Sequence, residues 1–208
     1  MENVLATYQR PYTPAIPVVC MDESPKQLIK ETRQSIAMKP GKVKRTDYEY
    51  ERVGTCTLFM ANEPLAGKRY VQVTERKTKK EWAFFMKEIA DHYYANAEKI
   101  HVVMDNLNTH QPGSFYEVFE PQEAHRLCNR FTFIYTPKHG SWLNMAEIEL
   151  NVLTGQCLSR RIDSIETIRG EVKAWQNHRN DLVATIDWQF TTKEARIKLK
   201  RLYPSIKV

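Results

Sequence analysis

Three short runs of the chain are apolar almost throughout: IPVVCM at 16 to 21, IHVVM at 100 to 104 and FTFIYT at 131 to 136. Runs of that length predict strands covered on both faces, as in a parallel sheet with helices on each side. Between the first two, YEYERVGTCTLFMANEP and KRYVQVTE alternate in the β manner and flank NEPLAG, which predicts an antiparallel hairpin. TKKEWAFFMKEIADHYYANA then reads as a helix. Thr78 and Glu81 form a capping-box pair at its start, and Trp82, Phe85, Met86, Ile89 and Tyr93 make one apolar stripe. A strand, helix, strand order predicts a parallel crossover. Residues 114 to 128 read as a further helix, and Pro137 closes the strand at 131 to 136.

The remaining segments lack this regularity. Residues 1 to 14, with Pro11 and Pro14, read as an N-terminal arm, and about 24 to 45, with Pro25 and Pro40-Gly41, as a basic insertion. The C-terminal region from about 144 to 208 reads as helical. Ile165, Ile168, Val172 and Trp175 share one face there, and Thr191 and Glu194 form a second capping box. Residues 15 to 208 are thus expected to form one α/β domain with a mixed sheet, an antiparallel hairpin plus parallel strands.

Composition narrows the class. The 208 residues suffice to bury ~70% of the unfolded surface. A 42% hydrophobic content and only 7 glycines argue against disorder. No stretch reaches membrane-spanning length, so a cytoplasmic protein is expected. Cys20, Cys56, Cys128 and Cys157 are far apart in sequence and read as reduced core residues, not zinc ligands. A net charge of +6 favours a polyanionic partner such as nucleic acid. The basic runs at 39 to 45, 75 to 80, 159 to 161 and 196 to 201, taken singly, read first as solvated faces.

The chemistry lies at the strand ends. Two buried runs each terminate in an acid, Asp22 and Asp105, where an unpaired carboxylate is costly. A third acid emerges from the helix beginning near Leu143 or Asn144. Its buried stripe is Leu143, Ala146, Leu150, Leu153 and Cys157, and beside it runs a polar line of Asn144, Glu147, Asn151 and Thr154. Glu149, roughly 200° round from Glu147, is expected in solvent, and Glu23 is expected to be a loop acid. Two carboxylates ~4 Å apart repel by about 4 kcal/mol at an effective dielectric of 20. A divalent cation relieves this, and oxygen donors suit Mg²⁺ or Mn²⁺, in a pair for phosphoryl displacement. No Gly-rich phosphate loop follows either strand, which argues against a nucleotide-binding doubly wound fold.

VVCMDE, VVMDNLNTH and YTPKHGSWLNMAEIELNVL together resemble the three blocks of DDE transposases of the mariner-like superfamily, in its bacterial insertion-sequence 630 branch. The resemblance runs from about residue 15 to 204. It implies an RNase H-like fold, with Asp22, Asp105 and Glu147 as catalytic and metal-binding triad. It also implies metal-dependent DNA cleavage and strand transfer, terminal inverted repeats, TA-containing targets and a homodimer acting at bacterial DNA. The spacing from Asp105 to Glu147, 147 − 105 = 42 positions, is longer than usual in that superfamily. Such enzymes carry an N-terminal helix-turn-helix that none of the residues before 15 resembles, so a catalytic fragment or downstream reading frame is expected. Candidate DNA contacts are Lys42, Lys44, Arg45, His110, Lys138, His139, Trp142 and Asn144. His110 is equally a candidate to orient Asp105, and Asn144 to cap its helix. The rival readings are another RNase H-like nuclease and a non-catalytic DNA-binding remnant.

Overall fold

The computed structural model describes residues 1–203; the last five positions of the expected C-terminal helical region lie outside the described residues. Five strands, β1 (Val18–Glu31), β2 (Tyr50–Glu63), β3 (Lys68–Thr74), β4 (Ile100–Met104) and β5 (Phe131–Tyr135), form one sheet in the order β3-β2-β1-β4-β5. β1, β2 and β3 are antiparallel neighbours, while β1, β4 and β5 run parallel. The mixed sheet expected from the apolar runs and the alternating hairpin is therefore present.

Helices cover both faces. On one side α2 (Lys79–Glu88), α3 (Gly113–Val118) and α4 (Pro121–Arg130) bury Trp82, Phe85, Phe115 and Leu127 against Val19, Met21, Phe59 and Val102. On the other, α5 (Met145–Leu153), α6 (Ile165–Asp181) and α7 (Thr192–Lys198) bury Leu150, Leu153, Val172, Trp175 and Ala195 against Cys20, Met60 and Val103. All four cysteines are free, two buried and two half-buried. Among the described residues, no helix is long and apolar enough to cross a membrane.

Several local expectations need correction. The first strand does not stop at residue 21 but continues to Glu31, paired along β2 as far as Tyr50, so the irregular basic connection shrinks to residues 32–49. Pro25 is tolerated because β4 pairs with β1 only as far as Cys20, leaving Pro25 on a singly paired edge. The helix expected over 114 to 128 is two helices. Pro121 opens the second, and Glu120 before it is extended, as a residue preceding proline prefers. The N-terminal arm contains a seven-residue helix, α1 (Glu2–Tyr8), too short to reveal a period. Its Val4 and Leu5 are fully buried, and the Tyr8 hydroxyl donates to the Leu143 carbonyl at 2.7 Å.

Two helices slip phase in the same way. Beyond α2 the chain widens into a π-helical turn, Ile89–Tyr93, and beyond α5 into another, Thr154–Leu158. The wider turn advances the buried position by one residue. Tyr94 is buried and Tyr93 is 41% exposed, though Tyr93 had the correct α-helical spacing. Likewise Leu158 is buried in place of Cys157.

Glu149 departs furthest from expectation. It is fully buried, not in solvent. β3 and α6 close over that side of α5 with two arginines: Arg179 donates to Glu149 Oε1 at 2.6 Å, and Arg69 Nε stands 3.1 Å from Oε2, too oblique for a hydrogen bond. Arg69 is itself buried and donates to the carbonyls of Gly67 and Ala184. The outer edge of β3 is closed by side chains of α6, with Asn180 bonding both backbone groups of Arg69 and Gln176 accepting from the Val71 amide. Arg69→Met is expected to lower unfolding free energy by about 3–5 kcal/mol in urea titrations, since it strands part of a buried charge cluster.

Candidate active site

The register of β1 and β4 decides where the acids go. Cys20 pairs with Val103, the last rung of a parallel ladder, and Asp22 and Asp105 each lie two residues further on. Adjacent strands are ~4.8 Å apart, so Asp22, still within β1, and Asp105, just past the end of β4, follow the last rung side by side. Asp22, in phase with Cys20, emerges on the face that carries α5.

α5 is fastened to that end by Asn144. Its side chain caps the helix by accepting from the Ala146 amide, and its Nδ2 donates to the Met21 carbonyl at 2.8 Å and to Asp22 Oδ2 at 3.3 Å. Glu147, in the first turn, is thereby brought within the electrostatic range of Asp22. The carboxyl of Asp22 is pushed up to about 7, chiefly by burial. The Glu23 amide, donating to Oδ1 at 2.8 Å, works against this, and the charges of Glu23, Asp105 and Glu147 add to the rise. At Asp22 the three acids share an electrostatic field. Among the described residues, no three acid, imidazole or thiolate groups stand close enough together to hold an ion as they lie.

Asp105 is held from the opposite side. His110 Nδ1 donates to Asp105 Oδ1 at 2.6 Å, and Nε2 stands 2.8 Å from Glu23 Oε2, again too oblique for a hydrogen bond. Glu23 is not a loop acid: it lies in β1, its side chain is buried, and its other oxygen pairs with Lys77. Burial pulls the His110 imidazole down, but the two carboxylates outweigh it and push it up to about 9. No sequence period reports such a cluster, because its members come from a strand, a strand end and a loop.

The candidate DNA contacts divide. His110 and Asn144 are fully buried, and each hydrogen-bonds one of the acids, Asp105 and Asp22 respectively. Lys42, Lys44 and Arg45 are exposed in the 32–49 connection, where Ile36 and Arg45 bridge. Lys138 and His139 line an open cavity of about 650 Å³ with Asp105, Asn106, Thr136 and Ser141. The turn is tight: His139 takes a left-handed φ of 61°, and a Cβ on Gly140 would lie 2.6 Å from the Pro137 ring. Trp142 is 44% exposed, edge-on to Phe190.

A metal-free measurement follows from the raised Asp22. Above its unfolded pKa the folded chain holds a proton that the unfolded chain releases, so stability falls as pH rises from about 4 to 7 and levels off beyond. In EDTA, Asp22→Asn is expected to melt a few degrees above wild type at pH 8, with no advantage near pH 4. Equal melting at pH 8 would contradict the buried charge.

Comparison with known proteins accords with this geometry. Residues 17–169 match the model of the DDE superfamily endonucleases. No curated protein sequence matches significantly. Among solved structures, the chain resembles the Mos1 mariner paired-end complex with Mn at TM-score 0.58 and 14% identity, over 88% of this chain and 54% of that one. The Mos1 strand transfer complex matches at TM-score 0.59 with the same identity and coverage, and the Mos1 paired-end complex with Mg at 0.55, covering 60% of its chain. The chain therefore spans little more than half the length of these relatives, and the likeness is one of fold: an RNase H-like sheet with its helices. With three-quarters of its length matched by the family model, the chain belongs to the DDE superfamily of endonucleases.

Proposed function

We propose that this is the catalytic domain of a transposase of the mariner-like superfamily, in its insertion-sequence 630 branch, and that it cuts DNA at element ends and joins the freed strands to a target. The observation that carries the reading is the placement of Asp22, within β1, and Asp105, just past the end of β4, each two residues beyond the last rung of the parallel ladder, with the charges of Asp105 and Glu147 felt at Asp22. Family membership and the net charge of +6 support it.

The residues fit a hard divalent cation. Their donors are carboxylate oxygens, and Asp22, raised chiefly by burial, also feels the negative charges of Glu23, Asp105 and Glu147. Asp22, Asp105 and Glu147 would hold Mg²⁺ or Mn²⁺, in a pair, and the metal would supply activation of water and stabilisation of the departing 3′ oxygen. The chain's own residues do the rest. Asn144 and the Glu23 amide orient Asp22, and His110 orients Asp105. Lys138 and His139 stand in the cavity beside Asp105, where cationic and N–H groups suit a phosphodiester. Lys42, Lys44 and Arg45 offer sequence-independent attraction to the flanking duplex. Recognition of terminal repeats falls to a helix-turn-helix region, and TA targets and a homodimer complete the reading.

The test uses duplexes carrying the ends of the encoding DNA element. The wild-type chain is expected to cleave them in Mg²⁺ or Mn²⁺ and to join the products to target DNA. Asp105→Asn is expected to lose at least about a thousandfold in rate, the scale of several kcal/mol of lost transition-state stabilisation. Retained cleavage by Asp105→Asn would overturn the assignment, and preference for RNA–DNA hybrids without joining would point to a ribonuclease.

A further inference from the structure

Asp105 and Asp22 are not held alike. Asp22 lies within β1, is bound by its neighbour's amide, and receives Asn144. Asp105 follows Met104, the last residue of β4, where the ladder ceases to restrain it. Its structural restraint is His110, and the position of that ring is fixed by parts distant in sequence. Glu23 of β1 faces Nε2, the indole of Trp82 on α2 stacks on the ring at 5.8 Å between centroids, and the Tyr135 hydroxyl of β5 donates to the His110 carbonyl at 3.2 Å. The His110 amide donates to the Leu107 carbonyl, folding the loop between β4 and α3 around the ring.

Packing does not call for such a group. His110 is 0% exposed beside an aromatic cluster, where an apolar side chain would fill the space without removing an imidazole and a carboxylate from water. What an apolar side chain would not supply is the N–H on Asp105. Partners that hold one part of a ligand and leave another free are a general feature of metal sites, where they set ligand orientation and affinity.

We propose that His110, seated by Glu23, is a positioning residue of the metal centre: its Nδ1 fixes Oδ1 of Asp105, which would leave the other carboxylate oxygen free for an ion. This rests on the reading of Asp105 as a metal ligand. It assigns His110 a role at the acids in place of DNA contact, and Glu23 a role although it lies outside the triad.

The test is calorimetric titration of the full chain with Mn²⁺, without DNA. His110→Ala removes the donor and is expected to weaken binding by about 10- to 100-fold. His110→Asn keeps an amide N–H at the place of Nδ1 and is expected to stay within a few-fold of wild type. Both variants lose the same stacking on Trp82, so a merely structural role would move them together. In an Asp105→Asn background, His110→Ala should cause no further loss. Should His110→Ala not fold, as judged by circular dichroism, Glu23→Ala takes its place, with a several-fold loss that disappears in the Asp105→Asn background. Wild-type affinity in His110→Ala, equal weakening by Ala and Asn, or a loss that persists without Asp105 would each overturn the positioning role. Wild-type affinity in Asp105→Asn alone would instead overturn the reading of Asp105 as a ligand.

Discussion

The parallel pairing of β1 with β4 forces two carboxylates together, and much else in the domain answers to that. A register in which Cys20 faces Val103 sets Asp22, within β1, level with Asp105, just past the end of β4. Like charges at strand spacing repel by a few kcal/mol. The fold fixes Asp22 with Asn144 and Asp105 with His110, and burial, with the neighbouring negative charges adding to it, leaves Asp22 far above its ordinary pKa. Stability is given up locally to keep a site poised, the pattern expected where chemistry is done.

The supporting structure is built from buried polar clusters on either side of the acids. Glu23 and His110 brace them from the face of α2, while Asn144 ties the start of α5 to β1. Two residues beyond Glu147, Glu149 is gripped by Arg69 and Arg179, which locks α5 to β3 and α6. One helix thus carries one acid whose charge acts on Asp22 and uses another as its anchor. Buried ion pairs add little net stability against apolar packing, but they penalise any other placement of the helix once formed.

The sequence showed the parts that periodicity can show. Unbroken apolar runs marked the central strands, alternation marked the hairpin, and the polar line through Asn144 and Glu147 picked out the helix face turned to the acids. What escaped depends on contacts between distant segments. Glu149, three residues after Ala146 and four before Leu153, flanks the buried stripe, but a charged residue there reads as solvent-facing because nothing local says that Arg69 and Arg179 will close over it. Tyr94 and Leu158 replaced the expected Tyr93 and Cys157 because two π turns each inserted a step that a fixed helical angle does not contain. His110 is legible as a group that could orient Asp105, which it contacts, whereas Glu23 reads as a loop acid because alone it looks like an ordinary polar residue near a strand end. Only Pro121, which split the helix expected over 114 to 128, was a signal in plain sight.

The central claim is that Asp22, Asp105 and Glu147 form one cation site, and Mn²⁺ in a crystal tests it most directly. Anomalous diffraction at the manganese edge should give a peak bounded by Asp22 and Asp105, with the Glu147 carboxylate turned toward it. At saturating Mn²⁺, no peak between the two aspartates, or a peak there that Glu147 ignores, would contradict it.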